Sequence, residues 1–382
     1  MPKGKFQLNQ LIESIEKFNE VGYIYSRHFS NIDDIERLRR LIGTSTNLKC
    51  MVFDGERRPG SICLAQAVLC GIKHNTSIKQ LSLYSWDLSQ GPGYDFLNTL
   101  SSESSKLLTL VVEECDIGNG SEGLRAIASI ATRYKKLKSL FLRSTAIFIG
   151  HEGEWLRPLV STMTRNLRHL SFKQAGINDE NLVDIVATIR GNRRLRLRVL
   201  DLEGNREIGQ RGCDSIASLL ESSSQSNLVG IDLSRVDLDN SCVASLAHGL
   251  RNKPKLRGLY LDDNPNISTD GFDALSRVLC NRRSINDTFL SNHTLKIING
   301  PRPRIDPTNE FRGLLELNHV KDKRMVAMKK VTQYHSHFDM EPLFEWDLKV
   351  LPVAICWFDG AQACLVTDIS TTSRPKFYSI QW

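Results

Sequence analysis

The sequence predicts an α/β fold: a right-handed horseshoe of about nine strand–helix units, with a concave parallel sheet inside and helices on the convex side. Two observations predict it. An apolar frame, L-x-x-L-x-L, recurs along the chain, and a segment of helical period follows most of its occurrences. The first apolar positions of the frames fall at residues 48, 78, 107, 137, 167, 197, 228, 256 and 285, which are 28 to 31 residues apart. Spacing this regular, with matched apolar positions inside every frame, marks a stacked repeat.

The units follow in order. The first frame is "NLKCMVF" (Leu48, Met51, Phe53), the second "SIKQLSLYSWDL" (Ile78, Leu81, Leu83) and the third "KLLTLVVEECDI" (Leu107, Leu110, Val112). Next come "KLKSLFLRSTAI" (Leu137, Leu140, Leu142) and "NLRHLSFKQAGI" (Leu167, Leu170, Phe172). The sixth, "LRVLDLEGN", carries Leu197, Leu200, Leu202 and Asn205. "NLVGIDLSRVDL" (Leu228, Ile231, Leu233), "KLRGLYLDDNPNI" (Leu256, Leu259, Leu261) and a weaker "SINDTFLSNHTL" (Ile285, Thr288, Leu290) complete the series. Between frames, "GCDSIASLLESS" (212–223), "NSCVASLAHGLRN" (240–252) and "TDGFDALSRVLCNRR" (269–283) place apolar residues at i, i+3, i+4 and i+7. Capping residues stand at their starts: Thr269 and Asp270 for the last, and Asn178 or Asp179 for "NDENLVDIVATIR". Nine strands at about 4.8 Å would give a concave face about 40 Å along its arc.

The frame and the long helical half-unit resemble the ribonuclease-inhibitor-like class of leucine-rich repeat proteins, over residues 46–298. That resemblance implies a side chain at the ninth frame position that hydrogen-bonds the turning backbone. Cys115, Thr145, Asn205 and Asn264 match; Glu56, Trp86, Ala175, Val236 and His293 depart, so those turns are expected to be looser or held by other groups.

Residues 1–45 are expected to form a helical N-terminal cap over the first unit, from "FQLNQLIESIEKF" and "NIDDIERLRRLIGT" with Ile32, Ile35, Leu38 and Leu41 on one face. A degenerate extra repeat through "VGYIYSRHF" is the alternative. Residues 299–310 ("NGPRPRIDPTNE") read as a linker, 311–362 as a C-terminal helical module and 363–382 as a tail. The region around Ser291–Leu295, Leu314–Asn318, Lys321–Arg324 and Phe338–Phe358 resembles the C-terminal part of uncharacterised leucine-rich repeat proteins of diatoms.

Composition narrows the function. With 41% apolar and 24% charged residues the chain is that of an ordinary soluble globular protein. Lys and Arg (50) exceed Asp and Glu (43) only modestly. No segment reaches the length of a membrane span; "LKVLPVAICWF" (348–358) is too short. With no export signal at the N-terminus, the expectation is a cytoplasmic protein, nuclear residence remaining compatible, with nine reduced cysteines and unused sequons at Asn75, Asn266, Asn286 and Asn292. Cys63 and Cys70 and the scattered remainder fit no zinc spacing, so no metal or other cofactor is expected. His335 and His337, near Asp339 and Glu341, read as an ordinary turn rather than a metal site.

No nucleophile elbow, H-E-x-x-H or phosphate-binding loop is present, and an enzyme is not expected. Frame positions three, five and seven face the concave solvent. There the middle strands offer Phe141, Arg143, His169 and Lys173, and the next offer Asp201, Glu203, Asp232, Tyr260 and Asp262, flanked by Asp263. The fifth and seventh columns end on Phe289 and Ser291. A charge-segregated face with aromatics predicts a protein-binding scaffold whose partner docks on these residues. The acidic run of residues 201–207 then divides between core, turn and concave face, and no metal loop is expected there. The second frame position carries Lys49, Lys79, Lys138, Arg168, Arg198 and Arg257. It suggests phosphate contacts, but without interleaved aromatic platforms a solvated rim is favoured over nucleic acid. The resemblance leaves two rival functions: activation of a Ran-like GTPase through Arg143 or Arg206, or the sensor part of a NOD-like receptor. The basic "PRPR" and "KDKR" stand where the GTPase-activating branch has an acidic tail.

Overall fold

The computed structural model describes residues 21–25, 32–54, 70–72, 74–89, 91–102, 106–117, 121–144, 166–222, 227–251, 255–299 and 309–335. Among the described residues ten strands form one sheet in strict chain order, every pairing parallel. They are β1 (Val21–Tyr25), β2 (Cys50–Asp54), β3 (Gln80–Tyr84), β4 (Thr109–Glu113), β5 (Ser139–Arg143), β6 (His169–Ser171), β7 (Val199–Asp201), β8 (Gly230–Asp232), β9 (Gly258–Tyr260) and β10 (Ile297–Asn299). The described helices between them include α1 (Ile32–Thr44), α2 (Gly91–Ser102), α3 (Ser121–Arg133), α4 (Asp179–Gly191), α5 (Gln210–Glu221), α6 (Asn240–Leu250) and α7 (Thr269–Leu279). This is the α/β leucine-rich repeat solenoid the periodicity predicts. It exists because each unit's apolar face is covered only by its neighbours. The frame residues Leu81, Leu140, Leu200, Ile231 and Leu259 are fully buried, and helix residues such as Ile130, Ile185, Ile216, Leu246 and Leu275 pack behind them in one core.

Two expectations are corrected at the ends of the sheet. Val21–Tyr25, inside the segment expected to be a helical cap, is a strand in parallel register with β2. "VGYIY" is rich in β-formers, and the free edge of β2 offers an unpaired ladder to it. The degenerate-repeat alternative describes this stretch; "FQLNQLIESIEKF" lies outside the described residues. At the other end, Ile285–Phe289 is a short helix, α8, not the ninth strand. Ser284 caps it, accepting from the backbone N–H of Asp287 at 3.0 Å and donating to the Asp287 carboxylate at 2.9 Å. The local capping geometry wins over a weak frame. The last strand comes later, with Leu295 and Ile298 buried and Ile298 level with Leu259, so the sheet runs into the segment expected to be a linker. Phe289 and Ser291 leave the concave columns; Ile297 extends the third column beside Gly258, and Asn299 takes the fifth-column place beside Tyr260.

Helix starts follow capping chemistry. Asn178 caps α4 in a reciprocal box with Asn181. Ser268, not Thr269, caps α7. Beyond β10, α9 (Asn309–Leu317) and α10 (Lys323–Tyr334) pack on the last unit, with Phe311 edge-on to Phe272 at 5.9 Å. His335, at the end of α10, bonds the Thr288 hydroxyl at 2.8 Å; His337, Asp339 and Glu341 lie outside the described residues.

The turns after the strands are stitched from the next unit. Asn205, 1% exposed, accepts from the Ala175 and Ile177 backbone N–H groups, each at 3.0 Å, and donates to the carbonyls of Phe172 (2.8 Å) and Leu202 (2.7 Å). Asn264 repeats the pattern on Val236 and Leu238, donating to Leu233 and Leu261. Ala175 and Val236, which depart from the expected residue type, therefore have turns held by the following asparagine. Cys115 uses its thiol on the Leu83 and Glu113 carbonyls. Thr145 and Glu56 lie outside the described residues.

The eighth frame position has a conformational signature of its own. Ser85, Glu114, Ser144, Gln174, Gly204, Arg235 and Asp263 all have positive φ, between 47° and 79°. In six of them the backbone N–H bonds the seventh-position carbonyl of the next unit, as in Ser144 to Lys173 (2.8 Å) and Arg235 to Asp262 (2.8 Å). A non-glycine residue at positive φ costs about 1 kcal/mol, which these inter-unit bonds offset.

Candidate functional site

On the concave side, β5 to β9 enclose a cavity of about 300 Å³, lined by Phe141, Arg143, His169, Ser171, Val199, Asp201, Gly230, Asp232 and Tyr260 together with Leu170 and Ile231. Its floor is set by the third frame position, which contributes His169, Val199 and Gly230 from three successive strands; Gly258 continues the column on β9 without lining the cavity. A Cβ at Gly258 would meet the Tyr260 ring at 3.1 Å, so the ring lies back over that glycine; at Gly230 the nearest atoms, the Gly258 carbonyl oxygen and Val199 Cγ2, stand 4.0 Å from where a Cβ would sit. Gly230 on β8 therefore makes the depression, and the larger side chains of β5 and β6 wall it.

One wall is cationic. The Arg143 guanidinium stacks on the Phe141 ring at 4.5 Å, and its buried Nε has no hydrogen-bond partner among the described residues. His169 Nδ1 lies 3.0 Å from the Ser139 hydroxyl. Burial, reinforced by Arg198 and Arg168, lowers the pKa of His169.

The opposite wall is anionic. Carboxylate oxygens of Asp201, Glu203 and Asp232 lie within 4.8 Å of one another. As strand alternation predicts, Asp201 at the end of β7 and Glu203 two residues beyond it share the concave side, and register with β8 brings Asp232 alongside Asp201. Each is already engaged. Asp201 accepts from Ser171 (2.6 Å) and the Glu203 N–H (3.1 Å), Glu203 pairs with Lys173 at 2.6 Å, and Asp232 accepts from the Ser234 N–H at 2.9 Å. The trio is thus a wall of negative charge rather than a coordination shell. Burial raises the pKa of Asp232, opposed by the Ser234 N–H and hydroxyl and reinforced by Asp201 and Glu203.

Six of the ten expected site residues, Phe141, Arg143, His169, Asp201, Asp232 and Tyr260, line this one cavity. Lys173 and Glu203 form the ion pair above, which joins the basic strand to the acidic one and softens the expected charge segregation. Asp262 and Asp263 do not line it. Asp263 pairs with Arg235 at 3.1 Å. Arg235, which also reaches Glu203 at 3.8 Å, was missed because its eighth position was not counted as facing the sheet. Arg206 lies past the end of β7, paired with Asp237 at 3.9 Å and away from the cavity.

No family model matches the chain, and no curated protein matches it. Several solved structures are similar in fold. The leucine-rich repeat-containing protein LegL7 from Legionella pneumophila is 16% identical with TM-score 0.46, covering 78% of this chain and 98% of that one. A structure of the Rad7 and Elc1 complex in yeast is 12% identical with TM-score 0.43, covering 72% and 70%. Leiomodin-1 actin-binding site 2 is 14% identical with TM-score 0.34, covering 43% and 87%. Among the described residues no helix is long and apolar enough to cross a membrane.

Proposed function

We propose that the chain is a non-enzymatic, cytoplasmic binding scaffold of the ribonuclease-inhibitor-like leucine-rich repeat class, with a C-terminal region akin to that of diatom proteins. It captures a protein partner through the cavity between β5 and β9. The observation that carries this reading is the pairing of an acidic wall (Asp201, Asp232) with aromatic and apolar surface (Phe141, Tyr260, Ile231) around a glycine floor. Such a cavity suits a single anchoring side chain with an apolar stem and a cationic head, an arginine or lysine of the partner.

The test is peptide-display selection on the intact protein, with a variant carrying Asp201→Arg and Asp232→Arg as the counter-target. Enrichment of sequences centred on one basic residue, with binding lost on the variant, supports the reading. Selected ligands that bind the variant equally well overturn it. Acceleration of GTP hydrolysis by a small GTPase, abolished by Arg206→Ala, would replace it with the regulatory one.

A further inference from the structure

A second cleft, of about 430 Å³, opens at the edge where β6 to β9 begin, and its lining has a different character. It is formed by Arg168, Arg196, Arg198, Lys255 and Arg257 with Asn227 and Val229. The arrangement follows from the repeat. Arg168, Arg198, Val229 and Arg257 hold the second frame position of four successive units, and Arg196, Asn227 and Lys255 precede the first apolar position of three of them. Among the described residues no carboxylate lines the cleft, and none of the five cations forms an ion pair. Elsewhere on the described surface arginines do find acids: Arg206 with Asp237, Arg211 with Glu180, Arg235 with Asp263. Five unneutralised cations around one concavity repel one another, which a merely solvated rim of mixed sign would avoid. Their field reaches neighbouring bases. After burial, Arg198 and Arg168 help to lower the pKa of His169, and Lys296 and Arg257 help to lower that of Lys323.

We propose that this cleft binds a compact anion bearing at least two phosphate groups. Four of the five cations are arginines, whose planar forks match phosphate oxygens in pairs, where a solvating rim would be served equally by lysine. The cations fall into two groups. Arg168, Arg196 and Arg198 lie on one side of Asn227 and Val229, and Lys255 and Arg257 lie on the other. With neighbouring strands about 4.8 Å apart, Arg198 and Arg257, two strands apart, are separated by about 10 Å at the backbone, a span their side chains close on a di- or triphosphate. Among the described residues no aromatic side chain lines the cleft to offer a platform for stacked bases, and its volume is that of a small-ligand site rather than a nucleic-acid channel.

Calorimetric titration of the full chain with sodium tripolyphosphate, at about 0.1 M salt to screen diffuse attraction, tests this. Saturable one-to-one binding is expected, about tenfold tighter than for orthophosphate and weakened about tenfold by Arg198→Gln or Arg257→Gln. Arg198→Lys, which keeps the charge but not the fork, should lose an intermediate amount, and Arg211→Gln on helix α5 should change nothing. All these positions are exposed, and unaltered circular dichroism verifies folding. A doubly phosphorylated peptide serves as a second arm: binding as tight as tripolyphosphate marks the anion as borne on a protein, and weaker binding marks it as free. Affinity unchanged in both glutamine variants, equal affinity for orthophosphate and tripolyphosphate, or tighter binding of single-stranded oligonucleotide would each overturn the proposal.

Discussion

Lys330 donates its fully buried ammonium to the side-chain oxygen of Asn318 at 2.9 Å, and the two hold α10 against the last unit of the solenoid. The carbonyls of Leu279 (2.7 Å) and Asn292 (3.2 Å) take the other two protons, so every donor is used although no carboxylate is among the partners. Burial pushes the Lys330 pKa down to about 7, with Lys323 reinforcing the shift.

That shift fixes a pH dependence. The unfolded chain keeps a lysine pKa of about 10.4, so between about pH 7 and pH 10 the unfolded state binds more protons and stability rises with pH. The difference in Tm between the wild type and Lys330→Met should widen in favour of the wild type across that window. A difference that stays constant from pH 7 to pH 10 would show that the ammonium is not strained by burial.

Asn205→Ala should destabilise by about 3 kcal/mol, because the Ala175 and Ile177 N–H groups and two carbonyls lose their partner inside the core. Urea unfolding followed by circular dichroism measures it. Arg206→Ala next door, at an exposed position, should cost less than about 0.5 kcal/mol.

Gly204→Ala should cost about 1–2 kcal/mol, since φ there is +79° and a Cβ would stand 2.5 Å from Gln174 Cγ. The side chain of Gln174 is flexible, so a second substitution, Gln174→Ala, should restore part of the loss. Additive losses in the double variant would place the strain in the backbone alone.

Asp232→Asn should raise Tm at neutral pH. The folded state holds this carboxyl above its ordinary pKa, so a cost is present in full above the folded value and fades as pH falls towards the unfolded one. An asparagine oxygen can still accept from the Ser234 N–H. The gain should shrink towards pH 4, and the same substitution should weaken capture of the partner. A stabilising change that impairs binding is the mark of a charge kept for function.

The repeat made most of the fold legible. Eight of the nine frames, from Leu48 to Leu256, stand where β2 to β9 form, because their apolar positions have a single buried environment to occupy. The ends were harder. A terminal unit has one neighbour and weaker frame residues, so the capping of α8 by Ser284 displaced the strand expected at 288–290. At the site, Asp201, Asp232 and Tyr260 were readable from strand alternation. The glycine floor at Gly230 and the ion pairs of Arg235 depend on which side chains are missing and on a positive-φ backbone, and a hydrophobic pattern encodes neither.

The asparagine stitch also has a direction in time. Asn205 closes a turn whose first partner, Ala175, was made 30 residues earlier, and Asn264 closes the turn at Val236, 28 residues before it. At a translation rate of about 5–20 residues per second, such a turn waits seconds for the side chain that completes it. The newest complete unit on a ribosome is therefore open on its downstream side, and a stop just before Asn205 or Asn264 would expose that side permanently. Shortened chains ending beyond either asparagine should be markedly less aggregation-prone than chains ending a few residues before it.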